Sequence, residues 1–219
     1  MGKGSPKVNN NYIHSCDSTK FDIKKHKALI TSCYEPNELK EIFRFYVLEA
    51  PILNQNKTSE AAGPRSLKEL GWSGTQQLNK LEHLLLASSG LGTFAIMKSK
   101  SITETLKTMN LDDTICIEHP RCVICKPPKD LYYNEDGSLF ENQKNENRMQ
   151  CLFRHIRNGI AHSLTYAFEN EMILLEDRSD DRDCITAKIL IHQKTLLDWI
   201  QIVETQGDEK QKADASNIK

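Results

Sequence analysis

The chain has 219 residues, 38% hydrophobic and 27% charged, with a formal net charge of −1. That balance excludes a disordered chain and gives no global attraction to nucleic acid, so any RNA or DNA site must be a local patch. No apolar run approaches the roughly 18–20 residues needed to span a bilayer, so no membrane partner is expected.

The N-terminus, MGKGSPKVNNNY, is polar and lacks the apolar centre of a signal peptide. The seven cysteines are an odd number and their spacing matches no secreted framework. Reduced thiols and a cytoplasmic location are the expectation.

Residues 1–20 read as a flexible arm, and residues 21–206 as one domain. Phe21–Cys33 has the look of a short helix containing Ile23, Leu29 and Ile30. Pro36 opens a clearer helix, in which Leu39, Ile42, Phe43, Tyr46 and Val47 recur at helical spacing as one buried stripe. Pro51 follows it, and a loop closes at Gly63-Pro64. Thr75–Ser88 is a second helix with Leu78, Leu81 and Leu85 inward and Gly90 as its stop. Phe94–Met97 and Ile102–Met109 read as helical, with Ser101 and Glu104 in the form of a capping box.

Residues 111–147 break this pattern with Pro120, Pro127, Pro128 and Asp136-Gly137, and read as a long loop or insertion. Within it, Cys116, His119, Cys122 and Cys125 fall at every third residue. A zinc site ordinarily joins a two-cysteine knuckle to ligands on a separate element. The favoured reading is a reduced, partly buried loop, with a structural metal as the alternative. No cofactor or catalytic metal is expected.

A further helix starts near Arg148. After it, Met172–Glu176 and Cys184–Ile191 read as two strands of a hairpin (172–191), joined through the polar RSDDRD run. The run Asp177–Asp183 lacks the glycine and distal Glu of a calcium loop and reads as a polar hairpin turn. Gln193–Thr205 is a closing helix, and 207–219 reads as a charged, frayed tail. Lys98, Lys100 and Lys107 read as ordinary solvated lysines.

The helix of CLFRHIRNGIAHSLT, Cys151–Thr165, carries the chemistry. At about 100° per residue, Met149, Leu152, Phe153, Ile156, Ile160 and Leu164 form an apolar stripe. Arg154, Asn158 and His162 fall on the far side, and Arg157 stands roughly 140° from His162. The two side chains therefore do not converge on a straight helix. Either Arg157 reaches around, or the helix bends near Gly159, or a second copy supplies the partner. A glycine inside a helix costs about 1 kcal/mol relative to alanine, which points to a bend or a close backbone approach.

The segment Arg157-Asn158-Gly159-Ile160-Ala161-His162 resembles the R-x4-6-H signature of the HEPN superfamily. The flanking run FRHIRNGIAHS, the strand ITAKILI and the closing LLDWI are similar to a small plasmid- or phage-associated prokaryotic branch, over about residues 148–205. The resemblance implies a mainly α fold, a HEPN-type antiparallel helical bundle with a small β-hairpin between the motif helix and the C-terminal helix. It also implies a homodimer in which two motifs form one composite site, and a metal-independent endoribonuclease acting as a toxin or phage-defence effector. Arg157 would hold the phosphoryl oxygens and His162 would move the proton. Asn158 would orient His162 or touch phosphate, and Arg154 and His155 are candidate further RNA contacts. An antitoxin partner of nucleotidyltransferase type belongs to the same picture. Tyr166 stands in H-x3-Y with His162 instead of the H-x-Y of some HEPN toxins, and reads as a packing or interface residue. The alternative is a non-catalytic HEPN domain that binds nucleotide or RNA, or a helical interaction module.

Overall fold

The computed structural model describes residues 21–22, 34–52, 65–91, 94–96, 116–117, 122–125, 146–168, 171–178 and 185–216. The expected arm at 1–20, the helix at 102–109 with Ser101 and Glu104, His119, the three solvated lysines and the turn at 179–184 lie outside these residues.

The described elements are β1 (Phe21–Asp22), α1 (Pro36–Ile42) running into a π-helix (Phe43–Leu48), α2 (Gly74–Ser89), β2 (Ala95–Ile96), β3 (Cys116–Ile117), β4 (Cys122–Cys125), α3 (Arg148–Ala161), β5 (Thr165–Ala167), β6 (Met172–Arg178), β7 (Ile185–His192) and α4 (Gln193–Ser216). They correct the expected fold. A sheet of five strands in the order β2-β4-β7-β6-β5 lies among the helices, so the architecture is mixed α and β rather than a mainly α bundle. The four strands from β4 to β5 are antiparallel, and β2 joins the β4 edge in parallel. A second, two-stranded sheet pairs β1 with β3, so Phe21–Asp22, expected to begin a helix, is strand, and the rest of that expected helix to Cys33 lies outside the described residues.

The β6–β7 hairpin expected from the sequence is present, but it is the middle of the sheet. Cys122-Val123-Ile124-Cys125, read as loop, pairs with β7 so that Cys122 meets Leu190 and Cys125 meets Ala187. Ala95–Ile96, read as helix, extends that edge. On β7, Ala187, Ile189 and Ile191 are buried on one face, and Lys188 and Leu190 are buried on the other. Burial on both faces explains why MILL and ILI are nearly continuous apolar runs.

The main core lies between one sheet face and the helices. Val123, Cys125, Ile173, Leu175, Ala187, Ile189 and Ile191 meet Leu152, Phe153 and Ile156 of α3, with Phe45, Trp72, Leu85 and Trp199 beyond. The polar tips of the large aromatics are satisfied by helix carbonyls, as burial requires. Trp72 Nε1 donates to Val203 O at 2.9 Å, Trp199 Nε1 to Leu85 O at 3.0 Å, and the Tyr46 hydroxyl to Leu196 O at 2.9 Å.

The π-helix changes which residues of the first helix are inside. Its wider turn buries Phe45 and Tyr46 and turns Phe43, 52% exposed, and Leu48 outward, and Leu39 of α1 is exposed as well. The expected stripe of Leu39, Ile42, Phe43, Tyr46 and Val47 is thus corrected: Ile42 and Tyr46 are buried, but Leu39 and Phe43 face out. Gly90 ends α2 in the left-handed conformation, φ +67°, as a C-terminal stop should. The closing helix α4 runs on past Gly207 to Ser216.

Candidate functional site

Helix α3 is fixed at both ends by its own sequence. Asn147 is its N-cap, its side-chain oxygen accepting from Met149 N at 3.0 Å and Gln150 N at 2.9 Å, while Gln150 accepts from Asn147 N. At the other end His162 is the C-cap, and Ser163 follows at φ +58°. Leu164 N donates to Gly159 O at 2.8 Å and Ser163 N to Ile160 O at 3.2 Å. This is a Schellman closure with serine in the place usually taken by glycine.

Gly159 lies against β6. A Cβ at this position would stand 3.0 Å from Glu176 O and 3.3 Å from Leu175 Cβ. Of the two explanations for the glycine, close backbone approach is the one observed. Glu176 N also donates to Leu164 O at 2.9 Å, tying the end of the helix to the same strand.

The polar residues of α3 divide into two sets. One set is turned inward. His155 is 1% exposed, and its Nδ1 donates to Asp177 Oδ2 at 2.7 Å while Nε2 stands 3.2 Å from Arg154 Nη2. An arginine can only donate, so that contact is a hydrogen bond in the tautomer with Nε2 as acceptor and the proton on Nδ1. Arg154 continues the chain to Glu146, with Nε to Oε1 at 2.7 Å and Nη2 to Oε2 at 3.2 Å. Asn158 Nδ2 donates to the same Asp177 Oδ2 at 3.0 Å. Burial raises the Asp177 pKa, but the bonds from His155 and Asn158 and the Arg154 charge outweigh it and hold the carboxyl below the usual aspartate range.

Arg154, Asn158 and His162, expected together on the far side of the helix, are thereby divided. Arg154 and Asn158 are engaged by Glu146 and Asp177, and only His162 faces solvent.

The other set is Arg157 and His162. Arg157 is half-buried, and its Nε donates to Val47 O at 3.3 Å, a long bond to a carbonyl near the end of the π-helix. Among the described arginines, Arg44, Arg65, Arg148, Arg154 and Arg178 each pair with a carboxylate, and Arg157 alone does not. His162 is exposed. Within the described residues no hydrogen bond or ion pair joins Arg157 to His162, so one chain does not bring them together. Tyr166, on β5, is exposed and opposite Leu174 of β6.

Cys122 and Cys125 lie three residues apart on β4, which sends their side chains to opposite faces of the sheet. They do not form a two-cysteine knuckle, and Cys116 is in the other sheet. Among the described residues no group of three His, Cys, Asp or Glu could hold a metal ion. Burial, with the negative charge of Glu146, pushes the Cys151 thiol up to about 12, far from a reactive thiolate. No described helix is long and apolar enough to cross a membrane.

Comparison of the chain with family models, with curated proteins and with solved structures finds no match.

Asp177, Glu146 and the inward role of His155 were missed by sequence reasoning. Asp177 was read as part of a polar turn. The available signal was Met172–Asp177 continuing the strand alternation, which puts Asp177 on the same face as Ile173 and Leu175 and so under α3.

Proposed function

We propose that this protein is a metal-independent endoribonuclease whose active site is assembled from Arg157 and His162 of two copies. It is the activity implied by the resemblance to HEPN proteins, here carried on a sheet-containing framework. The observation that carries it is the state of Arg157, the only described arginine without a carboxylate partner, on the same helix as a solvent-facing histidine. A half-buried guanidinium that no carboxylate neutralises favours an anionic ligand, and a phosphodiester fits its planar donors.

The chemistry is transesterification. The ribose 2′-oxygen attacks phosphorus, forming a P–O2′ bond, and the P–O5′ bond breaks. One His162 takes the 2′-hydroxyl proton and the His162 of the second copy gives a proton to the leaving 5′-oxygen. Arg157 neutralises the phosphoryl oxygens as charge builds. The products are a 2′,3′-cyclic phosphate and a 5′-hydroxyl. The separation of Arg157 from His162 within one chain supports a site built from two. The outward Leu39, Phe43 and Leu48 supply an apolar surface for the second copy on the helix whose Val47 carbonyl meets Arg157.

The test is cleavage of a mixed-sequence RNA by wild type, Arg157→Ala and His162→Ala, with product ends identified and with chelator present. Chelator-insensitive cleavage that is lost in both variants is expected. RNA binding without turnover in wild type replaces this reading with that of a binding module, in which Arg157 alone matters. Phe43→Ser is expected to convert a dimer to monomers and to abolish cleavage, as measured by light scattering and the same assay.

A further inference from the structure

We infer that Asp177 is a positioning residue that sets how Arg157 and His162 are presented. The inference rests on the ribonuclease reading for its activity readout, but its structural half stands separately. His155 and Asn158 are three residues apart, so they lie on one face of α3. A single oxygen of Asp177 accepts from both, at 2.7 and 3.0 Å. That shared acceptor fixes the rotation of the helix about its axis.

Arg157 follows from this rotation. It stands about 100° from Asn158 and about 200° from His155, so a helix that offers both of those to Asp177 must turn Arg157 away from the sheet. The adjoining residue of β6 fixes the translation. Glu176 O is the close neighbour of Gly159, and Glu176 N donates to Leu164 O at 2.9 Å, two residues beyond His162. Strand β6 thus holds the turn that bears Arg157 and His162 from both ends.

The groups around Asp177 make the grip directional. Arg154 stands behind His155, held by Glu146, and keeps Nε2 of the ring occupied as an acceptor. The ring meets Asp177 through Nδ1, at 2.7 Å. Removing the carboxylate leaves His155 Nδ1 and the Asn158 amide without their partner, and the buried stripe of Leu152, Phe153 and Ile156 then holds the rotation alone. Glu176 and Arg178 pair with each other, and Glu176 also with Lys188. They leave the Asp177 contacts to α3 alone.

Asp177→Asn keeps a carbonyl oxygen that can accept from both donors, whereas Asp177→Ala removes it. In the full-length protein, Asp177→Ala is expected to lower kcat by about 10- to 100-fold, the scale of a misplaced reacting group, with KM changed less than about twofold. Asp177→Asn is expected to restore most of the loss. Rates are taken per folded molecule, well below the unfolding midpoint. Asn158→Ala, a milder variant, is read by amide hydrogen exchange and should speed exchange in residues 157–162 by about tenfold. An unchanged kcat in folded Asp177→Ala, or failure of Asp177→Asn to rescue it, overturns the inference. If wild type does not cleave RNA, the ribonuclease reading falls and the exchange measurement decides the clamp. Unchanged exchange in both Asn158→Ala and Asp177→Ala overturns it.

Discussion

Helix α3 carries two Arg–His sets of the same chemical make-up and opposite condition. Arg154 and His155 are drawn into a continuous chain from Glu146 to Asp177, each donor matched by an acceptor. Arg157 and His162, one and two turns further on, have no carboxylate partner and no contact with each other among the described residues. The first set cannot be lost without leaving buried groups unpaired. The second contributes little to the fold and can be lost with little effect on it. Residue type therefore does not separate structural from chemical polar groups on a helix, and the presence of a partner does.

The widest split between the two regions is expected in activity. His162→Ala should reduce RNA cleavage by about 10²- to 10⁴-fold, the usual contribution of a general acid–base group. It should leave stability within about 0.5 kcal/mol of wild type, as for other surface positions, measured by urea unfolding. Asp177→Ala is the converse. Its expected loss is about 1–3 kcal/mol, the cost of leaving buried donors without their acceptor, read by the same unfolding experiment. A comparable stability loss in His162→Ala would erase the distinction.

Much of the framework was legible in the sequence. Pro36 and Gly90 mark helix ends, the β6–β7 hairpin shows its turn, and Gly159 announces a close approach to whatever lies beneath it. What could not be read was the identity of that neighbour. Cys122–Cys125 is a four-residue apolar run among prolines, and its partner Leu190–Ala187 lies more than sixty residues away. No local pattern encodes such a pairing, so residues read as loop became the strand beside β7. The inward turn of His155 was hidden for the same reason, because its acceptor comes from a strand 22 residues on. At the site, the positions of Arg157 and His162 were legible and the engagement of Arg154 and Asn158 was not.

Smaller effects sharpen the comparison. Gly159→Ala relieves the glycine cost of about 1 kcal/mol, but its Cβ meets the backbone of β6 at 3.0 Å. A net loss of about 1–2 kcal/mol is expected, since overpacking against backbone costs more than the propensity gains, and thermal unfolding will show it. Asp177 also gives the buried set a pH signature. Its folded pKa is depressed, so its contribution is complete above the unfolded value of about 3.9 and is lost as pH falls below that value. Urea midpoints from pH 6 to 2.5 should fall more steeply at the acid end for wild type than for Asp177→Asn.

The π-helix at Phe43–Leu48 leaves the first helix with a frame shift halfway along it. A π turn is an α turn with one residue to spare, so the two halves of the segment count their inside positions from different origins. Deleting a single residue within 43–48 should close the turn to 3.6 residues and bring both halves into one frame, moving whichever aromatics follow the deletion by about 100°. Phe45 and Tyr46 could not both stay packed against Phe153, from which they stand 6.0 and 6.3 Å by ring centroid. The surplus residue is what lets one short helix face the core with two adjacent aromatics while its neighbour Phe43 looks out.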